Sequence, residues 1–107
     1  MRKSIIVYTD KSGKEPFTKW LYGLSDHMTR RKIFTRLRRI EQGNYGDCKH
    51  VQDGVFELRL FSGPGYRIYF GEDGDTLLIL LCGGDKSSQE TDIQNAIRYW
   101  REYKSNA

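Results

Sequence analysis

Two arginines stand out because strand periodicity brings them together. Val55-Phe-Glu-Leu-Arg-Leu-Phe61 and Tyr66-Arg-Ile-Tyr-Phe70 both alternate, and the turn Ser62-Gly-Pro-Gly65 joins them. Successive strand side chains point to opposite faces. Phe56, Leu58 and Leu60 therefore share one face with Ile68 and Phe70, while Glu57, Arg59, Phe61, Arg67 and Tyr69 share the other. Two guanidinium groups on neighbouring strands repel unless something anionic sits between them. Two readings follow. Either Glu57 neutralises one arginine on a solvated sheet surface, or Arg59 and Arg67 form a phosphate-binding concavity. In the second reading Lys86 joins them, delivered at a strand end by the loop Gly83-Gly-Asp-Lys86.

RNA cleavage suits such a cluster. The 2′-OH of RNA lies beside the phosphate, so the protein has mainly to align it and to stabilise the charge of a phosphorane-like transition state. Preorganised cations supply much of that stabilisation. A base is still needed, and the chain has only two histidines. His27 lies near a helix start and reads as a surface residue; His50, Glu57 and Asp92 are weak candidates.

A second cationic feature is the run Arg30, Arg31, Lys32, Arg36, Arg38 and Arg39, with no acid among them. On a helix these wrap the solvent side and leave Ile33, Leu37 and Ile40 as an apolar stripe. Like charges at helical spacing cost about 0.2–0.5 kcal/mol per pair, so an all-positive face suggests a polyanion or an acidic partner. Residues 1–42 hold 11 Lys and Arg against 4 Asp and Glu, whereas residues 43–107 hold 7 against 10. Totals alone would therefore place binding on the helices.

At 107 residues the chain is one domain, large enough for a core without disulfides or metal. The longest apolar run, Leu77 to Cys82, falls far short of the roughly 20 residues of a membrane helix. The N-terminus lacks signal-peptide character, so a cytoplasmic location with two reduced thiols, Cys48 and Cys82, is expected. Two Cys and two His without ligand-pair spacing argue against zinc, and no cofactor is expected.

The positioning elements follow from pattern. Ser4 to Thr9 reads as a strand ending in the turn Asp10–Lys14. Pro16 opens a helix with Phe17, Trp20, Leu21 and Leu24 on one face, and Ser25 or Asp26 caps a second that Gly43 ends. Cys48 to Gln52 is a weaker strand before the alternating pair, and Thr76 to Cys82 is apolar on both parities, as a doubly covered strand is. Ser87-Ser-Gln-Glu90 reads as the capping box of a third helix, with Ile93, Ala96, Ile97 and Trp100 inward. The predicted fold is α+β, β-α-α-β-β-β-α, a curved, mostly antiparallel sheet with a packed helical hairpin and a C-terminal helix.

Taken together, Gly43-Asn-Tyr-Gly-Asp47, Val55-Phe-Glu-Leu-Arg59, Gly63-Pro-Gly-Tyr-Arg-Ile-Tyr69 and Gly83-Gly-Asp-Lys-Ser-Ser-Gln89 resemble the RelE/ParE toxin superfamily. The likeness is to its HigB-like branch of addiction-module killer proteins. It implies a bacterial or phage-derived type II toxin held by a small antitoxin, often of helix-turn-helix type. RelE-like members cut mRNA in the ribosomal A site without metal. By resemblance, Arg67 is the central active-site arginine, Arg59 and Lys86 are its basic companions, and Lys49 and Tyr69 are substrate-binding candidates. Arg31, Arg36, Arg38 and Arg39 are candidates for docking the ribosome or the antitoxin. RelE carries a tyrosine near the start of its final segment, where this chain has Asp92. A ParE-like gyrase inhibitor and a non-catalytic antitoxin-binding module are the alternatives.

Overall fold

A computed structural model of the protein describes residues 2–60 and 65–106. Strand β1 (Ser4–Val7) is followed by helices α1 (Pro16–Gly23) and α2 (His27–Glu41). Then come β2 (Cys48–Gln52), β3 (Val55–Arg59), β4 (Arg67–Asp73), β5 (Leu77–Gly84) and α3 (Gln89–Ser105). The five strands form one sheet in the order β1-β5-β4-β3-β2. Only β1 runs parallel to its neighbour, β5, and the other pairs are antiparallel.

Cys48–Gln52 is thus a full strand, so the sheet has four strands, not three, between α2 and α3. Its weak sequence signal reflects an edge position: Lys49, His50 and Gln52 face water. The turn predicted over Ser62–Gly65, and the place of Phe61 in the alternation, fall mostly outside the described residues.

Helices α1 and α2 cover one face. Phe17, Leu21, Ile33 and Ile40 pack there on Leu58, Ile68, Phe70, Leu78 and Leu80. Helix α3 covers the other face, where Ala96, Ile97 and Trp100 meet Val55, Tyr69, Ile79 and Leu81. The central strand β5 is buried on both sides, as its run of apolar residues requires. The approach of α3 is close: a Cβ on Gly71 would lie 2.5 Å from the Trp100 ring. Glycine at 71 lets the indole lie flat on β4.

Asp26 caps α2, accepting from the Met28 amide at 2.9 Å. The start of α3 differs from expectation. Asp85, not Ser87, makes the capping box, accepting from the Ser87 amide at 2.8 Å and pairing with Ser88 around a short 3₁₀ turn, Lys86–Ser88. An aspartate two residues upstream outcompetes the Ser-x-x-Glu pattern, and α3 itself begins at Gln89.

Candidate functional site

The two arginines lie at one end of the sheet. Arg59 closes β3 and Arg67 opens β4, and they are direct cross-strand partners. Arg67 is paired in turn with Gly84, the last residue of β5. One row further in, Lys49, Glu57, Tyr69 and Cys82 line up across four strands. Side chains in register point the same way, so both rows face α3.

That face is not a solvated sheet. Glu57 is completely buried (0% exposed), so it does pair with an arginine as the first reading has it, but not on a solvated surface. Its Oε1 accepts from Arg59 Nε at 3.0 Å, while Oε2 accepts from Gln89 Nε2 at 2.9 Å and from the Tyr69 hydroxyl at 3.2 Å. Arg67 Nε stands 3.7 Å from the same Oε2, an ion pair too long for a hydrogen bond. Among the described residues that buried nitrogen has no hydrogen-bond partner. Burial pushes the Glu57 carboxyl up, but hydrogen bonds from Arg59, Gln89 and Tyr69 outweigh it and hold it below the ordinary range. The Glu57 hydrogen bond likewise raises the Arg59 guanidinium above its ordinary value. Burial and the neighbouring carboxylate push the Tyr69 phenol far up, so it remains a protonated donor.

One buried carboxylate therefore faces two guanidinium groups. The Arg59 side chain is 34% exposed and that of Arg67 12%. Arg67 Nη1 donates to the Gly65 carbonyl at 3.0 Å. Lys86, exposed in the 3₁₀ turn, comes alongside: a Cβ on Gly65 would stand 3.7 Å from both Arg67 Nη1 and Lys86 Cβ. Arg59, Leu60, Gly65, Tyr66 and Arg67 line a small cleft of about 70 Å³. The structure thus brings Arg59 and Arg67 together at this cleft, with the stem of Lys86 beside Gly65 at its edge. Lys49 shares their sheet face from the exposed edge strand. Tyr69 is fully buried and touches the site through its hydrogen bond to Glu57.

The candidate bases separate. His50 pairs with Phe56, on the face away from the arginines, and its Nε2 accepts from the Gly54 amide at 3.1 Å; it does not approach the site. Buried Glu57 touches no solvent. His27 is exposed at the start of α2, as expected. Asp92 is half-buried in the first turn of α3, accepting from the Ser88 hydroxyl at 2.5 Å. It lies over Gly84, where a Cβ would stand only 1.8 Å from its Oδ2. Glycine at the position paired with Arg67 thus admits this carboxyl, and burial raises its pKa. Among the described residues no three His, Cys, Asp or Glu side chains converge as metal ligands.

The cations of α2 divide. Arg31, Lys32, Arg36 and Arg39 line a groove of about 400 Å³ with Met28, Thr35 and Leu60. Arg38 lines a neighbouring hollow with Arg31, Phe34 and Thr35. Leu60 belongs to both the α2 groove and the arginine cleft. Arg36 is also a strut, its Nη1 donating to the Arg59 carbonyl at 2.7 Å and its Nη2 to the Tyr45 carbonyl at 3.2 Å. Sequence reasoning missed this tie and the Gln89 contact to Glu57; neither leaves a periodic signal.

A five-stranded mixed α+β sheet carrying a basic cluster at one end is compatible with RelE-like toxins. Residues 19–103 match the family described as "Phage derived protein Gp49-like (DUF891)". An uncharacterized protein of Haemophilus influenzae is 49% identical over 80 residues, covering 75% of this chain and 81% of that protein. The chain belongs to this Gp49-like family, which is toxin-like, of the RelE and addiction-module killer kind. Toxins of such families work with an antitoxin partner. Among the described residues no helix is long and apolar enough to cross a membrane.

Proposed function

We propose that the protein is the toxin of a type II toxin–antitoxin pair, HigB-like in kind, and that it cuts mRNA on the ribosome in the cytoplasm. The observation that carries this reading is the arrangement of Arg59 and Arg67 on one buried carboxylate, beside a small cleft that both line. In-line attack of a 2′-OH on the adjacent phosphorus forms the 2′-oxygen–phosphorus bond and expels the 5′-oxygen. Charge builds on the non-bridging oxygens, where Arg67 binds and Arg59 and Lys86 share the load. The 2′-OH gives up its proton as the bond forms and the departing 5′-oxygen takes one up; Asp92, beside the Arg67 row, is the group we assign to relay these protons, with solvent as their source and sink. Lys49 holds a flanking phosphate from the edge strand, and Tyr69 supports substrate binding from beneath.

Arg31, Arg38 and Arg39 form the docking surface for ribosome or antitoxin, with Arg36 bracing it against the site. An antitoxin of helix-turn-helix type fits as the partner, since antitoxin segments are often acidic and disordered until bound. The test is cell-free translation with purified protein. Wild type should cleave mRNA and Arg67→Ala should lose at least a hundredfold in rate, the scale of removing one preorganised donor to a developing oxyanion (about 10²–10³). Full cleavage by Arg67→Ala would remove the site assignment. Inhibited DNA gyrase with intact mRNA would replace the activity.

A further inference from the structure

We infer that Glu57 is the positioning residue of the arginine site, holding both guanidinium groups so that their outer edges bind a phosphate as a pair. The inference rests on reading Arg59 and Arg67 as an anion site and adds the group that organises it.

The geometry is specific. A carboxylate has two oxygens, and each faces a different arginine: Oε1 receives Arg59 Nε at 3.0 Å, and Oε2 stands 3.7 Å from Arg67 Nε. Both contacts use the inner nitrogen. Among the described residues, Arg59 then keeps both Nη groups for a ligand and Arg67 keeps Nη2, its Nη1 being engaged by Gly65. Two long side chains otherwise carry considerable rotamer freedom, which is lost when they converge on one anion. Fixing Arg59 by a hydrogen bond, and holding Arg67 beside it by charge alone, lowers that loss at binding, as preorganisation does generally.

Glu57 is anchored in its own right. Tyr69 from β4 and Gln89 from α3 both donate to Oε2. The carboxylate therefore ties three elements, β3, β4 and α3, to the position of two cations. Being fully buried, it takes no part in proton exchange with a substrate. Its action on a ligand passes through the arginines.

Simple electrostatics predicts the opposite sign from positioning, which makes the inference testable. Removing a negative charge beside an anion site tightens anion binding by Coulomb's law alone. If Glu57 positions the arginines, Glu57→Gln weakens binding instead. The probe is inorganic phosphate, titrated into the full ¹⁵N-labelled chain while the arginine Nε–H resonances are followed by NMR. In wild type the Nε–H signals of Arg59 and Arg67 shift on titration. In Glu57→Gln the free-state Arg59 Nε–H signal moves from its carboxylate-bonded position, and the phosphate Kd rises about tenfold, the scale of one lost hydrogen bond. Glu57→Asp keeps the charge but shortens the reach; it should also weaken binding, and it decides the question if the glutamine variant does not fold. Leu78→Val, which opens the core on the opposite face at the far end of β5, should leave the Kd unchanged and separates stability from positioning. Unchanged or tighter phosphate binding in folded Glu57→Gln or Glu57→Asp would overturn the inference while leaving the anion site standing. No shift at either arginine in wild type would overturn the anion site and the inference with it.

Discussion

Replacing Tyr69 by Phe removes a single hydroxyl, and the structure says what that oxygen does. It donates to Glu57 Oε2 at 3.2 Å inside a fully buried cluster. Phenylalanine fills the same space, so the effect is electrostatic. A hydrogen bond to a charged group is worth about 1.5–3 kcal/mol net, and at this length the lower end applies. A loss of about 1.5 kcal/mol lowers the melting temperature of a domain near 100 residues by roughly 6–12 °C. The penalty should depend on pH. The folded Glu57 carboxyl is held below its ordinary 4.5, so its ionised network stabilises the protein above that value. This stability is lost as pH falls through the lower folded value. Tyr69 is one of the groups holding the carboxyl down, so its contribution shrinks once Glu57 is protonated, to about 1 kcal/mol or less as for a neutral pair. Urea denaturation of both proteins from pH 7 to pH 3 measures this directly. A penalty absent at pH 7 would refute the placement of an ionised Glu57 against Tyr69.

Other variants test other contacts. Gly71→Ala drives a methyl into the Trp100 ring, whose nearest atoms would stand 2.5–2.6 Å away; overpacking of about 1–3 kcal/mol should show as a lower melting temperature, and an unchanged one would contradict the seating of α3. Asp92→Asn should stabilise the protein at pH 7, because the raised folded pKa of Asp92 means that its charged form is disfavoured by burial. The wild-type group contributes stability below its ordinary value of 3.8 and loses it as pH rises through the folded pKa, so the advantage of Asn should vanish in acid. Equal urea midpoints at pH 7 would count against that burial. Arg36→Ala strips the donors from the Arg59 and Tyr45 carbonyls and should cost about 1–3 kcal/mol. Exposed Arg38→Ala should stay within about 0.5 kcal/mol, and equal losses in denaturant would mean that Arg36 is no strut.

Much of the site was legible because strand alternation is a property of the backbone. It paired Arg59 with Arg67 on one face and put Glu57 and Tyr69 beside them, as the register shows. Alternation says nothing, however, about what covers a face. Helix α3 lies on that side, so a glutamate readable as a surface neutraliser is the buried centre of the cluster. The cap of α3 was misplaced because Asp85 and Ser87 are both good capping residues, and only the 3₁₀ turn between them decides. The division among the α2 cations was invisible for a different reason. Arg36 is distinguished from Arg38 by two carbonyls on distant segments, and carbonyls leave no mark in a sequence. Emphasis accordingly moves from the basic first half to three cations in the acidic half: Arg59, Arg67 and Lys86.

Cleavage of RNA by way of Arg59, Arg67 and Lys86 is what we propose. Purified protein added to a cell-free translation reaction, with the message mapped by primer extension, measures it most directly. Defined cuts that depend on translation, and that disappear with Arg67→Ala while its thermal unfolding stays cooperative, are the expected result. An intact message beside arrested DNA supercoiling, or cuts undiminished by Arg67→Ala, would contradict it.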